Sequence, residues 1–357
     1  MKKFLALFLV LALMLPVFAV ANAEGEKIAL VTDVGTIDDE SFNQACWQAV
    51  EAYGVDNDIE YTYYQPSADS QDARLLSIAQ AVNEGATVIV MPGYLFGSAL
   101  VTAQDKYSKV KFIAVDVSAG DLTLDYVDYV EPADNVVCIT FAEEQAGFLA
   151  GYAAVKDGYT KLGFLGGMAV PAVIRYGYGF VQGADKAAAE LGKQVEINYT
   201  YGGQFFGDAA ITAKMEGWYS SGTEIVFACG GGIYTSAVEA ANKYGAKVIG
   251  VDVDQYYIDP CIVTSAMKGL QNVTETLLAD YFDGNWEKVG GQVRNYSLQE
   301  GEYLGLPTAE ASWRMNNFTV EEYETIKDLV QIGIVKVNNA TDNAPTVTSH
   351  TTVNYIQ

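Results

Sequence analysis

Three aspartates stand just beyond short apolar runs. Asp33 follows Ile28–Val31, Asp116 follows Phe112–Val115, and Asp252, with Asp254 close behind, follows Val248–Val251. Runs that are apolar on both faces read as buried strands of a parallel sheet. Ligands of open parallel sheets bind beyond the carboxyl ends of the strands. Carboxylates accept hydrogen bonds in pairs, which suits the vicinal hydroxyls of a sugar. The alternative role for each aspartate is to cap the next helix. Asp33, several residues ahead of its helix, fits that role least. Gly230-Gly231-Gly232 follows the run Ile225–Ala228 and offers backbone that can approach a small ligand closely. Thr235 stands where a dinucleotide-binding loop needs its third glycine, so the triplet reads poorly as a cofactor loop.

The composition narrows the chemistry further. The only histidine is His350, in a polar tail of Thr, Asn and Ser, which removes Ser-His-Asp and Cys-His catalysis and His-rich metal sites. No phosphate-binding P-loop occurs. The expectation is a protein that binds without catalysing, with no metal and no cofactor. A formal charge of −24 repels phosphate backbones and anionic lipid, so neither nucleic acid nor a membrane surface is an expected partner. Cys46, Cys138, Cys229 and Cys261 are widely spaced in apolar surroundings and read as buried free thiols.

The remaining pattern must hold these residues in place. Lys2 and Lys3, an apolar run from Phe4 to Val20 and Ala21-Asn22-Ala23 read as a secretory signal peptide over residues 1–23, with no cysteine at the cleavage site for a lipid anchor. The rest, about 334 residues, is enough for two domains. Val88–Met91, Leu162–Leu165 and Ile225–Ala228 complete a set of six buried-strand runs, and helical stripes lie between them. In Asp39–Tyr53 the apolar positions Phe42, Ala45, Cys46, Ala49, Val50 and Tyr53 recur at helical spacing, with Asp38 or Asp39 as the N-cap. Two successive β-α-β-α sets predict an α/β chain of two doubly wound parallel-sheet lobes joined by a hinge. Lobe 1 is expected over 24–139 plus 269–298, and lobe 2 over 140–268 plus 299–357. Helices are expected at Gly269–Phe282 and Val320–Val330, and a strand at Val289–Leu298.

Several stretches resemble one family. Val34-Gly35-Thr36-Ile37-Asp38-Asp39-Glu40-Ser41-Phe42-Asn43-Gln44 is similar to the signature of basic membrane protein-type, purine-nucleoside-receptor-like substrate-binding proteins. The stretch from Phe141 to Gly151, Gly166-Gly167-Met168 with Pro171, and Gly179-Phe180-x-x-Gly183 resemble further family motifs, as do Val248–Asp252 and Thr264-Ser265-x-x-Lys268. The resemblance covers about residues 27–285. It implies the type I periplasmic-binding fold, an ABC transporter permease as partner, and a nucleoside as ligand. By position it makes Asp33, Asn43 and Asp116 polar contacts from lobe 1, with Phe42 stacked on one face of the base. Phe206 would cover the other face, with its neighbour Phe205 as the alternative. Gly231 would approach by its backbone, and Asp252 and Lys268 would bind the ribose. Tyr94-Leu95-Phe96 departs from the family pattern in the pocket wall.

The expected protein is thus an exported, monomeric receptor that is periplasmic or at the cell surface. A sugar-binding or signalling receptor of the same fold is one alternative. A nucleoside hydrolase is another, because Asp33-x-Gly-x-x-Asp38-Asp39 faintly resembles the calcium loop of those enzymes. Gly35 stands there where they carry an acid.

Overall fold

Strands with no polar face have to be covered on both sides, and the chain meets this by alternating strand and helix. The computed structural model describes residues 25–356; the signal peptide read in residues 1–23 lies outside the described residues. The first set runs Lys27–Val31 (β1), Phe42–Asn57 (α1), Glu60–Tyr64 (β2), Gln71–Asn83 (α2), Val88–Pro92 (β3), Gly97–Lys106 (α3), Lys111–Val115 (β4) and Val136–Phe141 (β5). The second runs Glu143–Asp157 (α4), Lys161–Gly166 (β6), Pro171–Leu191 (α5), Val195–Tyr201 (β7), Ala209–Ser220 (α6), Ile225–Cys229 (β8), Tyr234–Tyr244 (α7), Lys247–Asp252 (β9) and Ile262–Lys268 (β10). Leu270–Phe282 (α8), Gln292–Tyr296 (β11), Leu304–Gly305 (β12), Val320–Gln331 (α9) and Thr351–Tyr355 (β13) complete the order.

Two sheets result. One has the strand order β11-β5-β4-β3-β1-β2 and is parallel throughout. The other has the order β12-β10-β9-β8-β6-β7-β13, and only its short edge strand β12 is antiparallel. The α/β parallel-sheet class read from the apolar runs is the class found. The chain passes between the sheets three times: from β5 into α4, from β10 into α8, and from β11 into β12. After the second passage α8 packs on α1, β3 and β4. Among the described residues no helix is long and apolar enough to cross a membrane.

Two local details bear on the site. Helix α1 starts at Phe42, the first residue of its apolar stripe and three residues after Asp39, and its N-cap position is Ser41 rather than Asp38 or Asp39. The Asp39 carboxylate accepts from the backbone N–H groups of Ser41, Asn43 and Gln44, so it caps from outside the first turn. Helices α4 and α5 touch backbone to backbone. A Cβ on Gly147 or Gly151 would lie 2.1 and 2.0 Å from the carbonyl oxygens of Tyr176 and Phe180. One on Gly179 or Gly183 would lie 2.1 and 1.9 Å from those of Glu144 and Phe148. Only glycine permits that approach. It brings Glu143, at the head of α4, next to Arg175 in α5.

Candidate functional site

The carboxyl ends of both sheets face one another across a cavity. Asp33 lies past the end of β1, and its Oδ1 accepts from Gly35 N at 2.8 Å and Asn43 Nδ2 at 3.3 Å. Asp116 follows β4 directly and Asp252 ends β9. Both have left-handed backbones, with φ of 59° and 65°. That conformation costs an L-residue energy, which Asp tolerates better than most, and it recurs at ligand sites. Lys268 is the last residue of β10. These four side chains, with Asn43 and the backbone of Gly231 (φ 51°), line the cavity, which holds about 580 Å³ counting its open mouth.

The apolar walls come from both sides. Phe42 and the Tyr94-Leu95 turn stand on the first sheet's side. Val170, Val173, Tyr176 and Phe205 stand on the second's. The two sides already touch at the rim and in depth. Ser41 Oγ donates to Asp252 Oδ2 at 2.6 Å, and Gln255 Nε2 donates to the Glu40 carbonyl at 2.8 Å. The Tyr257 hydroxyl donates to the Glu40 carboxylate.

One cation organises the buried acids. Lys268 Nζ lies 2.6 Å from Asp116 Oδ2, 3.3 Å from Glu143 Oε1 and 3.9 Å from Asp252 Oδ1, and it sits 4.7 Å from the centre of the Phe42 ring. Glu143 is fully buried, and its Oε2 accepts from Arg175 Nε at 2.6 Å. Burial pushes the Asp116 carboxyl up to about 7 against the pull of the Lys268 ammonium. Burial likewise raises Asp33 and Asp252 above the ordinary carboxylate range. Burial would raise Glu143 too, but the charges of Arg175 and Lys268 outweigh it and hold Glu143 below that range. Burial disfavours the Lys268 ammonium, yet the carboxylates of Asp116, Glu143 and Asp252 outweigh it and hold the pKa above that of an ordinary lysine.

Two buried acceptors on residues that line the cavity are left without a partner among the described residues: Asp116 Oδ1 and Asn43 Oδ1. Both are buried beside the cavity. The amide of Asn43 is fixed in this sense because its Nδ2 donates to Asp33 Oδ1 and to Asp39 Oδ2 at 3.1 Å. Leaving a buried acceptor unmade costs about 1–3 kcal/mol, so such atoms mark where a donor-bearing ligand belongs.

Of the residues singled out in the sequence, Asp33, Phe42, Asn43, Asp116, Gly231, Asp252 and Lys268 meet in this cavity. Phe206 does not. Its segment is extended and bridges to Gly232, so neighbouring side chains point in opposite directions, and Phe206 is 56% exposed. Phe205 takes the wall instead, packed on Gly167 and Gly230. Asp254 also points elsewhere, accepting from Ser312 Oγ. Sequence reasoning missed Tyr176, Glu143 and Arg175 altogether. The loop Tyr94-Leu95 follows a strand, so the strand-end rule applied to Asp33 points to it as well. The Asp-rich segment does not form a metal loop. Asp38 is exposed, Asp39 is consumed by helix amides, and no group of three or more His, Cys, Asp or Glu among the described residues is placed to hold an ion. The four cysteines are buried free thiols.

This division has a direct test. Phe206→Ala should leave ligand affinity and melting temperature within error of the parent. Phe205→Ala should weaken ligand binding by about 1–3 kcal/mol if the ring stacks on a base. Isothermal titration of both variants separates them, and a reversed ranking would reinstate Phe206.

Two parallel sheets joined by three connections, with a cavity between their carboxyl edges that both furnish, make the type I periplasmic-binding fold. A solved solute-binding protein of an ABC transporter system from Aeropyrum pernix K1 shares this fold, with a TM-score of 0.74 at 21% identity over 88% of this chain and 94% of that one. The family described as ABC transporter substrate-binding protein PnrA-like matches residues 26–341, and the chain belongs to it. Basic membrane protein A of Borreliella afzelii is 32% identical over 279 residues, spanning 77% of this chain and 81% of its own length. The ABC transporter nucleoside-binding protein BmpA of Lactococcus lactis subsp. cremoris (strain MG1363) is 28% identical over 307 residues, spanning 79% and 82%.

Proposed function

We propose that this substrate-binding protein captures a nucleoside, most favourably a purine nucleoside, and delivers it to the permease of an ABC transporter. The observation that carries the reading is the pairing of wall and floor in one cavity. Phe42 and Phe205 offer aromatic surface from opposite sides, and Asp116 Oδ1 and Asn43 Oδ1 wait for donors between them. A base needs flat apolar surface on its faces, and its N–H groups and the ribose hydroxyls need acceptors. Lys268 uses two of its three N–H groups on Asp116 and Glu143, which leaves one for a ribose oxygen. The nucleoside-binding relative from Lactococcus supports the ligand class. The leader read in residues 1–23 supports export, and a monomer with lobes at 24–139 plus 269–298 and 140–268 plus 299–357 is the form we assign. Ligand contacts made only in the closed state would draw the lobes together.

A thermal-shift panel of nucleosides, free bases, pentoses and hexoses on ligand-stripped protein tests this. At ~100 times Kd a ligand that binds only the folded form adds about 2.7 kcal/mol of stability. Nucleosides, recovered intact, should give the largest shift. A response confined to free sugars would replace the nucleoside with a sugar, and release of base and ribose from inosine would reveal a hydrolase.

A further inference from the structure

We propose that Glu143 and Arg175 are positioning residues of the cleft: Glu143, anchored by Arg175, sets where the Lys268 ammonium meets Asp116, and thereby keeps the free oxygen of Asp116 as an acceptor for a ligand donor. Neither side chain lines the cavity, and neither belongs to the set of ligand contacts described above. The geometry assigns the role. Arg175 Nε and Glu143 Oε2 are 2.6 Å apart, Glu143 Oε1 is 3.3 Å from Lys268 Nζ, and Lys268 Nζ is 2.6 Å from Asp116 Oδ2. This is a chain of four charges, and its last link crosses between the two sheets. Glu143 is also the first residue of α4, directly after the passage out of β5. Its carboxylate is therefore fixed to the second sheet's helices at the point where the chain turns. The glycine contact between α4 and α5 sets the Glu143–Arg175 spacing through the backbone.

Without Glu143 the ammonium is no longer shared between two carboxylates and moves further onto Asp116, where it covers the oxygen that is free in the parent. The charged and titratable groups that face Asp116 are Lys268 from β10, Glu143 from α4, Arg175 and Tyr176 from α5, Asp252 from β9, Cys46 from α1 and Cys229 from β8, with Asp33 across the cavity. Protonation of Asp116 removes its charge and turns one of its oxygens from acceptor to donor, so affinity for a ligand donor falls as pH drops through its raised pKa of about 7. Glu143 opposes ionisation of Asp116 and Arg175 favours it.

Two single substitutions that break the same ion pair therefore act in opposite directions. Glu143→Gln should move the pH midpoint of Asp116 downward, and Arg175→Gln should move it upward, each by roughly one unit. The double variant should return it close to the parent, and Arg175→Lys should keep it there. The role as a determinant of affinity rests on the nucleoside reading, so the titration is followed in two ways. One is the carboxyl carbon signal of Asp116 by NMR in ligand-free protein, and the other is Kd for guanosine between pH 5 and 9. Opposite shifts in both would establish the relay. Opposite NMR shifts in a parent protein that does not bind guanosine would leave the relay standing and remove the nucleoside reading. Shifts in the same direction, or none while melting temperatures fall equally, would show that the pair only holds the fold together and would overturn the proposal.

Discussion

Lys268→Met should be the most damaging single change in this protein. The side-chain volume is nearly kept, but the one cation that, among the described residues, contacts Asp116 and Asp252 is removed from a site where those side chains are 7% and 6% exposed. Breaking a buried ion pair from one side costs about 3–5 kcal/mol, because the partner charge stays buried without compensation. Glu143 retains Arg175, so the loss falls mainly on Asp116. The sign of its pH dependence follows. An uncompensated buried carboxylate has a folded-state pKa above its unfolded value. The penalty is therefore full at pH above the folded value and shrinks as pH falls toward the unfolded one. Chemical denaturation of the variant should show a deficit at pH 8 that is smaller at pH 5, together with loss of ligand binding at pH 8. A variant as stable as the parent at pH 8 would show that Asp116 does not depend on Lys268.

The second large effect is expected at Phe42. Its ring lines the cavity, packs against the core and lies 4.7 Å from the Lys268 ammonium. On the nucleoside reading proposed above, Phe42→Ala removes a stacking surface worth about 1–3 kcal/mol per base, a loss of roughly 5- to 150-fold in Kd. It also removes a cation–π contact of about 0.5–2 kcal/mol and apolar packing. Two variants separate these roles. Phe42→Leu keeps most of the packing and loses the π face, so it should melt close to the parent yet bind nucleosides poorly. Titration calorimetry beside thermal melts decides it. A Leu variant with parental affinity would mean that Phe42 serves only the core and that no base stacks upon it.

What could be read from the residues alone follows a physical division. Strands β1, β3, β4, β6, β8 and β9 announced themselves because both of their faces are buried, which leaves uninterrupted apolar runs. The edge strands β2 and β13, and β7 next to β13, read Glu60–Tyr64, Thr351–Tyr355 and Val195–Tyr201, with mixed polar and aromatic residues and exposed positions. Nothing local distinguishes them from loops. The tail holding His350 therefore looked merely solvated, although it leads into a strand paired with β7. In the cavity, Asp33, Asp116 and Asp252 were legible because an acid directly after a buried strand has few other uses. The Phe205/Phe206 choice was not, since an extended pair always offers one ring to each side and only the tertiary structure says which side is inner. Tyr176 is buried in its helix and also lines the cavity, and nothing in its spacing marks the second role. Glu143 and Arg175 meet only because two helices pack without side chains between them, which no spacing in the sequence reveals.

The glycine contact between α4 and α5 bears on how such a receptor changes its cargo. Two of the stretches by which the family is recognised, from Phe141 to Gly151 and Gly179-Phe180-x-x-Gly183, are the two sides of that contact. They are shared because two backbones must touch, whatever the protein carries. The surfaces that would read a ligand's shape, at Tyr94-Leu95 and Phe205, sit on loops outside the contact. Part of the family likeness is thus recorded away from the surfaces that would read a ligand. A descendant can exchange the loops and acquire a new cargo while the helix pair, and with it the family likeness, stays intact.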